Sequence, residues 1–318
     1  MPSLKTRFTE QVGIKYPIIC GAMYPCSSPN LVASVSLAGG LGIVQPMSFI
    51  TTRGLDLRQA FRDMKKITTN PVGMNIILVP GYENRLRAWM DIALEEGCRF
   101  FVTALGKPTW VVEKAHAVGG LVYHDTIKVE HALKGIDAGV DGLICVNNQA
   151  GGHAGYQSPQ ELYDQLKDFH IPLICAGSVG NEDDFIRALD MGYDGVQMAT
   201  RFIATHECDE SDAYKQAILK AKASDIIMTA AGDGIPGAII KPENFKETEI
   251  PQPGFIMKWL LQNRRTKKYA RMWMARIFAN QKGPSHQNLF SAGKSVEHID
   301  HIEHVSDIIQ RFVSAAKK

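Results

Sequence analysis

The chain of 318 residues is 45% hydrophobic and 21% charged, with a net charge of +2. Its length suits one large α/β domain or two smaller ones, and the near-neutral balance gives no ground for a nucleic-acid partner. No run reaches the ~18 apolar residues of a membrane span, the opening MPSLKTRFTEQVG lacks the apolar core of a secretory leader, and six cysteines make no disulfide framework in this length, so a cytoplasmic protein with reduced thiols is expected.

Along the chain, short apolar runs alternate with longer segments of helical period, the pattern of βα units. Strands are expected at Pro17–Gly21, Leu41–Val44, Val72–Ile77, Phe100–Thr103, Gly120–His124, Gly142–Val146, Pro172–Ala176 and Gly195–Met198. Helices are expected between them at Asn30–Ala38, Leu57–Ile67, Arg85–Glu96, Trp110–Val118, Val129–Ala138, Pro159–Phe169 and Asp183–Met191. Several of these run into glycine before the next strand, at Gly39, Gly97, Gly139 and Gly192, since glycine enters the left-handed region at little cost. Eight strands by residue 198 fit a closed (β/α)8 TIM barrel over residues 1–200 better than a doubly wound open sheet.

After Thr200 the rhythm changes. A helix over Glu210–Lys222 precedes the glycine- and proline-rich TAAGDGIPGAIIKPEN, a helical stretch over Phe255–Phe278 and a last amphipathic helix over Val296–Ala315. Residues 201–295 read as a C-terminal helical lid or cap over the barrel mouth, and 296–318 as a helix packing back on the barrel. The Phe255–Phe278 stretch holds seven Lys and Arg and no acid. It reads as a solvated helix packing on the barrel, as a docking surface for an acidic partner or nucleotide, as a membrane-surface helix or as a homodimer contact. His298, His301 and His304 recur every third residue, but the stripe Ile299, Ile302, Val305, Ile308 and Phe312 explains the helix without a metal, and no metal site is assigned.

In a (β/α)8 barrel the site lies at the C-terminal strand ends, and phosphates bind in the loops after the seventh and eighth strands. Gly177, Ser178 and Gly180 follow the seventh strand and Thr200 follows the eighth; together these small-residue loops point to a phosphate-bearing ligand. Gly21, Ala22 and Met23 end the first strand and leave room for a planar ring. Asn75 sits among apolar residues in the third, either as a satisfied core amide or meeting the polar edge of that ring. A ring with a phosphate fits FMN. His124 and Asp125 end the fifth strand. The sixth leads into QAGGHAG (149–155), which places His153 among three glycines: a loose turn, or backbone brought close to a ligand beside a titratable group.

The stretches TRFTEQVGIKYPIICGAM, PVGMNI, QAGGHAG, PLICAGSVG and GVQMATRF resemble the nitronate monooxygenase (2-nitropropane dioxygenase) superfamily over about residues 4–230. That superfamily also includes FMN-dependent NAD(P)H:quinone reductases and enoyl-acyl-carrier-protein reductases. The resemblance implies an FMN-containing TIM barrel with His153 lining the substrate cavity as the catalytic histidine. It implies Gly151 and Gly152 beside the flavin, Gly21, Ala22 and Met23 beneath its ring, and Asn75 at the polar edge. His124 stands where some relatives carry lysine. Gly177 and Ser178 match the phosphate loop, and Gln197, Met198, Ala199 and Thr200 the segment that completes it. Ala22, Ser178 and Ala199 replace family glycines, Gln149 replaces a glutamate, and Val146 stands where monooxygenase members carry glutamine. The expected chemistry is oxidation of alkyl nitronates or nitroalkanes with O2. The alternatives are quinone or enoyl-thioester reduction with NAD(P)H as donor, a flavin-free isomerase or aldolase using Asp125, or a non-catalytic flavin subunit that docks a partner through its basic helix.

Overall fold

The computed structural model describes residues 2–229, 236–242, 266 and 289–317. Eight parallel strands close a barrel in chain order: β1 (Ile18–Cys20), β2 (Leu41–Val44), β3 (Val72–Ile77), β4 (Phe100–Ala104), β5 (Leu121–Thr126), β6 (Gly142–Val146), β7 (Leu173–Ala176) and β8 (Gly195–Met198). Register Ile19↔Gln197 between β1 and β8 completes the ring. The expected (β/α)8 TIM barrel is the observed fold, with β2, β3, β6 and β8 at their expected bounds.

Among the described residues the α-helices are α1 (Arg7–Val12), α2 (Pro29–Leu37), α3 (Leu57–Ile67), α4 (Glu83–Glu95), α5 (Thr109–His116), α6 (Val129–Ile136), α7 (Pro159–Leu166), α8 (Glu182–Asp190), α9 (Thr200–Ile203), α10 (Asp212–Lys220) and α11 (Val305–Ala315). Local chemistry sets several of their ends. The Asp56 side chain accepts from the Gln59 N–H to start α3, and Ser158 and Glu161 form a reciprocal capping box at α7.

Side chains alternate across each strand. Ile19, Leu41, Ile43, Phe100, Val102, Tyr123, Ile144 and Ile174 fill the barrel interior, while Ile18, Met74, Phe101, Val122, Leu143 and Val196 pack outward under the helices. The N-terminal end of the barrel is plugged by α1, whose Phe8 meets the rings of Phe100 and Tyr123 at centroid distances of 6.0 and 5.6 Å. A cavity of about 460 Å3 bounded by Leu4, Thr9, Gly13, Tyr16 and Lys317 opens at this closed end, across the barrel from the C-terminal strand ends.

The C-terminal helix is shorter than its sequence pattern. Lys294–His298 forms a 3-10 turn and α11 begins only at Val305. The intervening backbone pairs elsewhere: Glu303 bridges Thr205, and its carbonyl accepts from the His206 N–H at 3.1 Å. The Glu207 carboxylate then caps α11 through the Val305 N–H at 3.1 Å. Of the flanking histidines, His304 contacts Glu207 and His301 contacts Asp300. α11 lies against α8, with Phe185 and Phe312 rings 5.9 Å apart. The antiparallel strands β9 (Ile226–Thr229) and β10 (Gly237–Ile240) pair beside the barrel mouth. The basic stretch 255–278 lies outside the described residues apart from Thr266. No helix among the described residues is long and apolar enough to cross a membrane.

Candidate active site at the barrel mouth

Parity decides which side chains reach the mouth. Asn75, Asp125 and Gln197 share the inward face with Val102, Ile144 and Ile19 through the registers Asn75↔Val102, Asp125↔Ile144 and Ile19↔Gln197. The Asn75 amide has only long contacts, from Gln45 Nε2 to its Oδ1 at 3.5 Å and from its Nδ2 to the Val102 carbonyl at 3.4 Å. The buried Oε1 of Gln197 and Oδ1 of Asp125 have no hydrogen-bond partner, a costly condition for buried polar atoms unless a ligand meets them. Burial pushes the Asp125 carboxyl up to about 7.

His124 takes the opposite parity and does not face the mouth. Its ring is 2% exposed, lies against Gly135 of α6 and meets Thr103 Oγ1 through Nδ1 at 2.8 Å. Burial, with His131 nearby, lowers it to about 4. The side chain that enters the interior at the end of β5 is Asp125. Met198 also packs outward; only its carbonyl reaches the mouth, accepting from the Gly21 N–H at 2.9 Å.

The small residues hold close approaches. A Cβ on Gly21 would stand 3.0 Å from the Gln197 side chain. The Met23 main chain is fixed from both sides, its N–H donating to Ser27 Oγ and its carbonyl accepting from Ser48 Oγ, each at 3.0 Å. Gly177 and Ser178 take consecutive positive φ values of 102° and 70°, turning the chain sharply after β7. Buried Asn147 ties this turn to the loop after β6: its Nδ2 donates to the Gly177 carbonyl at 3.3 Å and its Oδ1 accepts from the Gln149 N–H at 2.9 Å.

In QAGGHAG the chain's own backbone uses the glycines. Gly152 sits at φ 65° and exchanges two hydrogen bonds with Ala238 of β10. A Cβ on Gly151 would lie 2.8 Å from the Ala292 main chain, and one on Gly155 would lie 2.3 Å from the Val146 carbonyl. His153 is exposed at the tip of this paired loop. The segment 291–295 (SAGKS) returns over the mouth: the Gly293 N–H donates to Thr200 Oγ1 at 3.0 Å and the Lys294 N–H to the Gln149 carbonyl at 2.9 Å. Gly21, Ala22, Met23, Asn75, Gln197, Ala199, Thr200, Gly177, Ser178, Gly151, Gly152 and His153 thus all belong to strand ends or loops of one barrel face.

Sequence reasoning missed Gln45, Asn147 and the 291–295 return. Gln45 and Asn147 each directly follow an apolar strand run, and that polar break was a usable signal. Nothing local marks residues 291–295, because their partners, Ile239, Tyr214, Thr200 and Gln149, lie about 50 to 145 residues away in the chain.

The fold is a (β/α)8 barrel with a candidate site at the C-terminal ends of its strands. The chain belongs to the nitronate monooxygenase family, whose model matches residues 5–315, and is an oxidoreductase of that flavin-dependent family. It is 27% identical, over an alignment of 350 positions, to the (3aS,4S,5R,7aS)-5-hydroxy-7a-methyl-1-oxo-octahydro-1H-indene-4-carboxyl-CoA dehydrogenase of Rhodococcus jostii, covering 100% of this chain and 97% of that protein. It is 28% identical to a probable nitronate monooxygenase of Staphylococcus saprophyticus, covering 78% and 83%. Among solved structures it resembles FabK from Thermotoga maritima at 28% identity and a TM-score of 0.79, covering 99% and 97%. The nitroalkane oxidase of Streptomyces ansochromogenes shares the fold at 18% identity, with a TM-score of 0.75.

Proposed function

We propose that the chain is an FMN-dependent oxidoreductase that passes electrons between a nicotinamide donor and an acyl-thioester or related carbonyl substrate. The observation that carries the cofactor is the set of inward polar groups, Asn75, Asp125 and Gln197, two with buried oxygens lacking a partner, at a mouth floored by small residues. Such a set suits a flat heterocycle with polar edges. Asn75 and Gln197 would meet the ring edge, with Gly21, Ala22 and Met23 beneath it. The turn Gly177-Ser178 and the segment Ala199-Thr200 would hold the phosphate through main-chain N–H groups and the Thr200 hydroxyl. When bound, the flavin supplies hydride or single-electron transfer. His153 would hold a proton at an imidazole nitrogen for the substrate, either donating it to an acceptor or taking one from an acidic carbon. β9 with β10, and the 291–295 return, would cap this mouth.

For the substrate, acyl-thioester chemistry is supported by the relative named as a carboxyl-CoA dehydrogenase, which aligns over the whole chain. Nitronate oxidation is the second reading, supported by the family description and the staphylococcal relative. Anaerobic mixing of the purified holoprotein with NADH, NADPH or propyl nitronate separates them, because only a true donor bleaches the flavin absorbance. Bleaching by a nicotinamide followed by reoxidation with an enoyl thioester is the expected result. Bleaching by propyl nitronate alone would establish the second reading. His153→Ala should retain FMN and lose most turnover in either case; unchanged kcat/KM would remove His153 from the mechanism.

A further inference from the structure

Asp125 is the residue at the mouth that the proposed chemistry leaves unexplained. It is the only inward-facing carboxylate among the residues of β1 to β8. Its strand neighbours in register are Ile144 on β6 and, beyond it, Ile174 on β7, and the β4 side presents Val102 and Ala104. His124 and Thr126 on its own strand face the helices, as does the Cys145 thiol on β6. No basic group contributes to its titration, which burial alone displaces. Its buried Oδ1 meets neither a countercharge nor a hydrogen-bond donor, which favours the neutral acid. Along β5 it stands two residues beyond Tyr123, which pairs in register with Val102 and through it with Asn75 on β3.

Resting on the flavin reading, we propose that Asp125 binds the cofactor as a neutral acid, donating a hydrogen bond from its carboxyl group to an acceptor on the polar edge of the ring. The assignment gives the partnerless oxygen its function. It also makes cofactor retention depend on the protonation of one carboxyl group, since ionisation would replace a donor by an unpaired negative charge against the ring. An amide presents the same donor without the proton.

The test is FMN affinity of the reconstituted full-length protein, from the quenching of free FMN fluorescence, for the wild type, Asp125→Asn and Asp125→Ala between pH 6 and pH 8. The FMN phosphate titrates in the same range, so the ratio of wild-type Kd to Asp125→Asn Kd isolates the side chain. That ratio is expected to rise about tenfold from pH 6 to pH 8, as a group that starts near 7 ionises. Asp125→Ala should bind about three- to tenfold more weakly than Asp125→Asn throughout, the loss of one hydrogen bond. A flat or falling ratio, or equal affinity for Ala and Asn, overturns the proposal. Thermal melting of the apoproteins gives an independent reading: the melting temperature of Asp125→Asn should gain on that of the wild type steadily between pH 4 and pH 8. A constant difference across that range would show no buried charge to relieve, and would overturn the neutral-acid assignment. A wild type that binds no FMN at any pH defeats the cofactor reading itself, whereas FMN binding with a flat ratio defeats only the role of Asp125.

Discussion

His124 and Asp125 are adjacent in the sequence and have opposite fates, and parity alone separates them. In a parallel barrel both strand faces are buried, so LVYHDT carries no alternation of apolar and polar residues from which the inward face can be read. The side is set by Tyr123, which is drawn inward against Phe8 and Phe100; that contact spans 115 residues and is invisible locally. The two groups also pull stability in opposite directions. His124 is lowered to about 4 in the folded state, below the ~6.5 of an unfolded chain. Its contribution is therefore complete above pH 6.5 and is lost as pH falls toward 4. Asp125 is raised to about 7, so its contribution is complete below ~3.9 and is lost as pH rises through 7. At full protonation the His124 effect is on the order of 3 kcal/mol. His124→Asn, which can keep the bond to Thr103, should therefore flatten the acid limb of a melting-temperature profile between pH 6.5 and 4.5. A variant profile as steep as that of the wild type would relocate the acid-sensitive group.

At the scale of elements, strands and barrel helices were legible because punctuation and period agreed. Gly, Pro and capping residues bound β2, β3, β6, β8 and α3 within a residue of their observed ends. The final helix was misjudged because the apolar spacing of Ile299 and Ile302 continues the stripe of α11, while the backbone there pairs with residues 204–206. The glycine loop after β6 was legible as a loop at the barrel mouth, but the reason its glycines exist was not. Gly151 is required by the Ala292–Gly293 main chain, which packs against it across the mouth. Gly151→Ala would push that return segment away. The expected cost is about 1–3 kcal/mol of stability, the usual range for overpacking, together with weaker FMN binding through displacement of Gly293 from Thr200. Stability and FMN affinity both at wild-type levels would mean that the return segment yields freely and does not shape the site.

The molecule as a whole is closed by contacts that no local pattern announces. Arg201, at the start of α9 just beyond β8, is among the largest fully buried side chains. Its Nη2 donates to the carbonyls of Ala204 and His301, each at 2.7 Å, while Nη1 stands 3.3 Å from Glu303. Glu303 also pairs with Arg311 of α11 at 2.8 Å. One guanidinium thus pins the C-terminal return to the strand end that carries Thr200, and from there the chain runs into α11 against α8. Arg201→Met keeps much of the volume but leaves two carbonyls without their donor and Glu303 with one cation instead of two. Breaking a buried ionic network in this way costs about 3–5 kcal/mol, seen as a large drop in denaturation midpoint with the m-value unchanged. Because the same residue anchors both the return and the end of β8, FMN should protect the variant less than it protects the wild type. If FMN raised both melting temperatures equally, the tether would be structural alone and the mouth would be assembled independently of the C-terminal return.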